Sequence, residues 1–124
     1  MKKLIPLALV LFSIICLVSC KPKSMTKDTY QLIKQAISLM EDYHSGKITG
    51  DDVKGPLKSI KTQLDSIAKR DKGKHTGGSE YANQNDFYAS TAAMYVDQFV
   101  DHIDSVLFEN DTYTPFENLK GLLE

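Results

Sequence analysis

The sequence predicts an all-α fold, a small antiparallel bundle of three main helices and a short C-terminal one, occupying residues 27–124. Three observations carry this expectation. Apolar residues recur at spacings of three and four through three separate stretches, which is the helical period. Residues that stop and start helices, among them Gly46, Thr49, Thr114 and Pro115, fall at the ends of those stretches. No segment alternates apolar and polar residues as a half-buried strand would, and no internal repeat is visible. Helices joined by short connectors pack as antiparallel neighbours.

The first predicted helix lies in KDTYQLIKQAISLMEDYHSG, where Tyr30, Ile33, Ile37 and Met40 form the stripe and Leu32, Ala36, Leu39 and Tyr43 flank it, with Gly46 as the stop. The second carries Val53, Leu57, Ile60, Leu64 and Ile67 and ends near Asp71. Gly55-Pro56 interrupts its start. Proline lacks an amide hydrogen and disfavours helical geometry before it, so this helix either kinks there or begins at Pro56. Residues 71–79, DKGKHTGGS, read as a connector; they lack the glycine-then-Gly-Lys-Ser/Thr order and the preceding strand of a phosphate loop.

The third helix is expected from Ser79 or Asp86 to about Glu109, with Tyr88, Ala92, Tyr95, Val96, Phe99, Ile103, Val106 and Leu107 on one side and Asn85 suited to cap it. The fourth opens in TPFENLKGLLE, where Thr114, Pro115 and Glu117 match an N-cap, a first-turn proline and a capping-box acid. It presents Phe116, Leu119 and Leu122 or Leu123.

Ahead of these helices, MKKLIPLALVLFSIICLVSC has two lysines before an uncharged apolar run, the layout of a secretory signal and too short for an ordinary membrane span. Leu17-Val18-Ser19-Cys20 resembles the lipobox of bacterial lipoprotein precursors. That resemblance covers residues 1–20 alone, and it implies cleavage before Cys20, a diacylglycerol on its thiol and an acyl chain, such as palmitate, on its amine. Two or three chains hold a protein on a bilayer durably. The expected organisation is then a signal peptide over 1–19, a tether over 20–26 and the bundle over 27–124. Localisation follows as lipid-anchored and extracytoplasmic; Lys21, in place of the aspartate associated with inner-membrane retention, favours the outer membrane if the host has two.

On this reading Cys16 leaves with the signal and Cys20 carries lipid, so neither disulfide nor thiol chemistry is expected. The mature chain would hold 13 basic and 16 acidic side chains, a balance that does not suit nucleic-acid binding. The charge is unevenly spread. Residues 21–75 carry 12 Lys and Arg against 7 acids, and residues 76–124 carry 1 against 9. Lys21, Lys23 and Lys27 follow the lipid site, where anionic headgroups attract basic side chains.

Several constellations invite a functional reading. EDYHSGKITGDDV, from Glu41 to Val53, matches a calcium loop in its glycine, isoleucine and last acid, but Tyr43 stands where a carboxylate is needed and Asp52 is short for bidentate reach. The same residues serve better as a joint: Gly46 closes one helix, Thr49 caps the next, Asp52 completes a capping-box-like pair, and Ile48 with Val53 forms a hydrophobic staple. Tyr81, Tyr88, Tyr95 and His102 lie seven apart, a line of rings at the edge of the apolar face, suited to the core boundary or to a ligand surface. Asp97, Asp101 and Asp104 form an acidic stripe on the far side of that helix; Lys54, Lys58 and Lys61 have the mirrored spacing and could meet Asp104, Asp101 and Asp97 in an antiparallel pair. The stripe's outward position favours a solvated face.

His44, His75 and His102 have no His or Cys at metal-ligand spacing, and neither a GxSxG nor a Glu-plus-His protease motif occurs. The expectation is therefore a protein-binding or assembly module of the cell envelope, not an enzyme, with no cofactor. An inhibitor of immunity or exclusion type docking a basic target, and small-ligand binding between helices, are the alternatives.

Overall fold

The computed structural model describes residues 25–72, 84–105 and 111–124. Cys20, Tyr81, Val106 and Leu107 lie outside the described residues. Among the described residues four helices make up the all-α bundle: α1, Lys27–His44; α2, Gly50–Asp71; α3, Gln84–Ile103; and α4, Tyr113–Gly121. No strand occurs among the described residues.

Polar contacts between helix ends fix the up-down-up order. The start of α2 meets the end of α3 through an ion pair of Lys54 with Asp104. The end of α2 meets the start of α1 through Arg70 and Asp28, 3.3 Å apart. Asn85, at the start of α3, reaches both Thr26 and Asp71. The fourth helix begins beside His44 and runs back along α1, so that Leu123 shares a shallow groove with Lys34 and Ile37.

The core is the one the periodicity outlines: Ile33, Ala36 and Met40 from α1, Val53, Leu57 and Leu64 from α2, Ala92, Val96 and Phe99 from α3, Phe116 and Leu119 from α4. Helices α2 and α3 form the most extensive pair. Ala89, Ala92 and Ala93 are all buried on α3, and side chains that small let two backbones approach. Gly50 serves the same end, since a Cβ there would stand 2.9 Å from Ile103 Cγ2. Met25, assigned to the tether by sequence, is 1% exposed and part of this core.

The joint between α1 and α2 keeps the stop at Gly46 and the cap at Thr49 that the sequence suggests, but the Asp52 carboxylate does not return a bond to the Thr49 amide. Gly46 has φ +81°, and the amides of Gly46 and Lys47 donate to the carbonyls of Tyr43 and Asp42, the paired bonds of a Schellman turn. Thr49 Oγ1 then accepts the Asp52 amide at 3.1 Å and caps α2. Ile48 is half-buried against the core that Val53 enters. Asp51 and Asp52 are exposed carboxylates of the first turn, where the helix dipole favours them.

Four expectations need correction. Helix α2 does not begin at Pro56; it is continuous from Gly50, with Pro56 inside it. Gly55 and Pro56 are exposed, so the carbonyl deprived of its helical partner faces water, which limits the cost. Helix α3 ends at Ile103 rather than near Glu109, and Ser105 N–H turns to the His102 carbonyl as the last turn tightens. Asn85 is not a cap, because α3 starts at Gln84 and Asn85 is buried within its first turn. Thr114 is not the cap of α4. Asp111 takes that role: its Oδ1 accepts the amides of Tyr113 and Thr114 at 3.0 and 3.3 Å, while the Thr114 hydroxyl donates to Oδ2 at 2.7 Å.

Candidate functional site

Three places on this scaffold concentrate polar or aromatic groups. The first is the outer face of α3. Phe87 is 59% exposed and Met94 47%, two large apolar side chains a heptad apart on the side opposite the buried alanines. They stand about 10 Å apart along the axis at 1.5 Å per residue. Asp97 and Asp101 are exposed on the same outer side, and Asp104 lies at its end. The predicted charge pairing is formed at one end. Lys54 pairs with Asp104; Lys61 instead pairs with Asp65 at 2.9 Å on its own helix, and Lys58 and Asp101 are both exposed without an ion pair among the described residues. Asp97 still acts on Lys61, raising its pKa together with the larger effect of the Asp65 hydrogen bond. The antiparallel register is thus the one the mirrored spacing implied, while the middle of the acidic stripe is left to solvent.

Tyr88 and Tyr95 are half-buried and pack against the core from its edge, with His102 continuing the line. His102 Nδ1 makes a short contact with the Asp111 carbonyl, which ties the end of α3 to the start of α4. The described grooves are lined by other residues. One of them, about 420 Å³, runs between α1 and α2, with Leu32 and Ile67 at its base and Asp28, Gln31, Gln35 and Gln63 around them, a shallow groove of mixed polarity open to solvent.

The second place is centred on His44, which the sequence sets at the close of the first helix, beside a connector. His44 is the last residue of α1 and its ring stacks on Tyr113 with centroids 3.9 Å apart and planes 7° from parallel. Phe116 meets the same ring edge-on at 5.0 Å, and Phe99 and Tyr43 complete the cluster. His44 Nε2 lies 2.7 Å from Thr112 Oγ1, whereas Nδ1 is buried without a hydrogen-bond partner. A proton on Nδ1 would be a buried donor with nothing to accept it. The neutral tautomer with hydrogen on Nε2, donating to Thr112, is the one this geometry suits. Burial holds the His44 pKa below its ordinary value, opposed in part by the charge of Glu117. The only sequence signal for this cluster was the aromatic content of YTPF beside a helix-terminal histidine, and nothing in either segment says that they meet.

The third place is a polar clamp where the N-terminal segment joins the bundle. Asn85 Oδ1 accepts from the Thr26 amide at 2.9 Å and from its hydroxyl at 3.1 Å, and Asn85 Nδ2 donates to Asp71 Oδ2 at 2.6 Å. Arg70 binds both Asp71 oxygens, through Nε at 2.9 Å and Nη2 at 3.1 Å, and reaches Asp28 with Nη1. The Thr26 hydroxyl beside Asp28 depresses that carboxyl's pKa against the opposing effect of desolvation, with help from the Thr29 amide and Arg70. Thr26 therefore does not cap α1 with its side chain; its hydroxyl is engaged in this tertiary network.

Among the described residues no group of three His, Cys, Asp or Glu side chains is placed to hold a metal ion, and no helix is long and apolar enough to cross a membrane. No protein-family model matches the chain, and neither does any curated protein or solved structure.

Proposed function

We propose that this chain is a lipid-anchored extracytoplasmic lipoprotein whose bundle binds a protein partner through the outer face of α3. The observation that carries the binding reading is the exposure of Phe87 and Met94 on the face turned away from the core. Large apolar side chains in the middle of a patch supply most of the energy of an interface, and Asp97 and Asp101 beside them supply a charged rim. A partner segment with an apolar centre and basic flanks fits this arrangement. The anchoring half of the reading is supported by Leu17-Val18-Ser19-Cys20 and the apolar run before it. Binding, rather than chemistry or a cofactor, is the role these residues support.

A photo-crosslinking residue in place of Thr91, which lies between Phe87 and Met94, tests this in intact cells, with Gln63 on α2 as the control position. A discrete adduct is expected from position 91 and not from position 63, and Phe87→Ser with Met94→Ser should abolish it. Equal adducts from both positions would sink the reading. The exposure of Asp97 and Asp101 favours a second reading, an inhibitor that docks a basic target by charge. Capture lost on reversing Asp97, Asp101 and Asp104 to Lys, yet retained in the Phe87/Met94 double variant, would select it.

A further inference from the structure

The clamp around Asn85 has a consequence for how the bundle would sit on a bilayer. Met25 is 1% exposed in the core and Thr26 is bonded to Asn85, so the chain leaves the bundle at a fixed point. Only four residues, 21–24, separate Cys20 from Met25, and the five Cα steps between them span at most about 17 Å of extended chain. Helix α2 alone is 22 residues, about 33 Å long. A lipid on Cys20 can therefore hold the clamp end of the bundle near the membrane while the Gly46–Gly50 end stands far from it.

The two ends differ in charge. At the clamp end Lys27, Lys69 and Lys72 are exposed and make no ion pair with the described residues, while Arg70 neutralises much of Asp28 and Asp71. Lys69 and Lys72 line a shallow groove with Ala68, Asp86 and Ser90. At the opposite end Glu41, Asp51 and Asp52 are exposed, with Lys47 the one exposed cation in the Gly46–Gly50 joint, while Asp97 and Asp101 lie part-way along α3. Three exposed cations without an ion pair among the described residues thus lie near the point from which the tether departs, and exposed acids outnumber exposed cations at the far end.

Resting on the lipid anchor at Cys20 put forward above, we infer that the clamp end of the bundle is a docking surface for anionic lipid headgroups, with Lys27, Lys69 and Lys72 making the contact. The molecule then stands end-on, and the outer face of α3 is held upright for its partner. A basic side chain near an anionic surface favours the docked state by about fivefold, so three together favour it by roughly a hundredfold.

The test uses the lipidated full chain on vesicles, with a fluorophore on Ser66→Cys near the clamp or on Ser45→Cys at the opposite end, and an acceptor dye in the headgroup layer. With phosphatidylglycerol present, energy transfer from position 66 should exceed that from position 45 severalfold. The triple variant Lys27→Glu, Lys69→Glu, Lys72→Glu should reduce that difference to the smaller one that the tether alone imposes, as should vesicles of phosphatidylcholine alone. Sedimentation with the vesicles reports the lipid anchor separately and should not change. Equal transfer from both positions on phosphatidylglycerol overturns the inference. So does a difference that charge reversal leaves undiminished, since tether geometry alone would then explain all of it. Failure of the wild-type chain to sediment would refute the anchor itself, and the docking with it.

Discussion

His44 and Asn85 are the residues whose surroundings give them more consequence than their sequence positions suggest. Unfolded, His44 titrates near about 6.5; folded, burial keeps its pKa lower. Between the two values the unfolded chain binds more protons, so stability should rise with pH across that window, reach its full value above it and fall as the pH drops through the folded pKa. Urea midpoints measured from pH 5 to 8 should show this slope, and His44→Gln should flatten it. Asn85→Ala leaves the Thr26 amide without its acceptor and takes from Asp71 one donor besides Arg70, at a cost of about 1–3 kcal/mol by denaturant titration. A loss near zero would mean that water replaces the amide and that the clamp is loose. Neither residue was legible as important. A histidine beside a glycine looks like a connector and an asparagine before a helix looks like a cap, because the partners that decide their roles lie 68 and 59 residues away in the chain.

At the scale of the element, most helix ends obey local rules and are open to local tests. Gly55 is exposed inside α2, and a methyl group added there would meet nothing within 4 Å apart from its chain neighbours, but the Pro56 ring crowds the Cβ of a helical residue before it, so Gly55→Ala should stabilise by less than about 1 kcal/mol. Gly50→Ala should not, since its methyl group would press on Ile103. Thermal midpoints of the two variants moving together would contradict the close contact between the start of α2 and the end of α3. Pro56→Ala restores an amide to the helix and should stabilise by about 2 kcal/mol, an interior proline's cost less its restriction of the unfolded chain. No change in the urea midpoint would show that the helix has already absorbed that cost. The Gly46 turn and the Thr49 cap were readable because each depends on residues within a few positions. The cap of α4 was misplaced for a related reason: Thr114, Thr112 and Asp111 all have capping side chains, and only the path by which α3 ends and α4 begins selects Asp111.

For the whole molecule, the charge asymmetry of the sequence becomes an arrangement in space. Its two halves carry opposite net charge, yet they do not pair broadly. Lys54 meets Asp104 at one end, Arg70 meets Asp28 and Asp71 at the other, and the acids between them on α3 stay exposed. Exposed pairs of this kind contribute little to stability, so neutralising Asp97 and Asp101 together with Asn should leave the thermal midpoint within about 2 °C. The same variant should weaken partner capture by α3 in low salt. Cys20→Ser is expected to release the protein from membrane fractions while its circular dichroism stays that of the helical bundle; retention by membranes would remove the lipobox reading.

The sequence by itself determined the helical class, the number of main helices, the core stripes and the joint at Gly46 and Thr49, because periodicity and capping act over a few residues. Tertiary structure alone decided where α3 stops, what Asn85, His44 and Asp111 bond to, and which apolar side chains remain outside. Phe87 and Met94 satisfy a helical pattern as readily as Tyr88 and Tyr95 do. Only the packing of α3 against α1 and α2 turns the first pair to solvent and the second to the edge of the core.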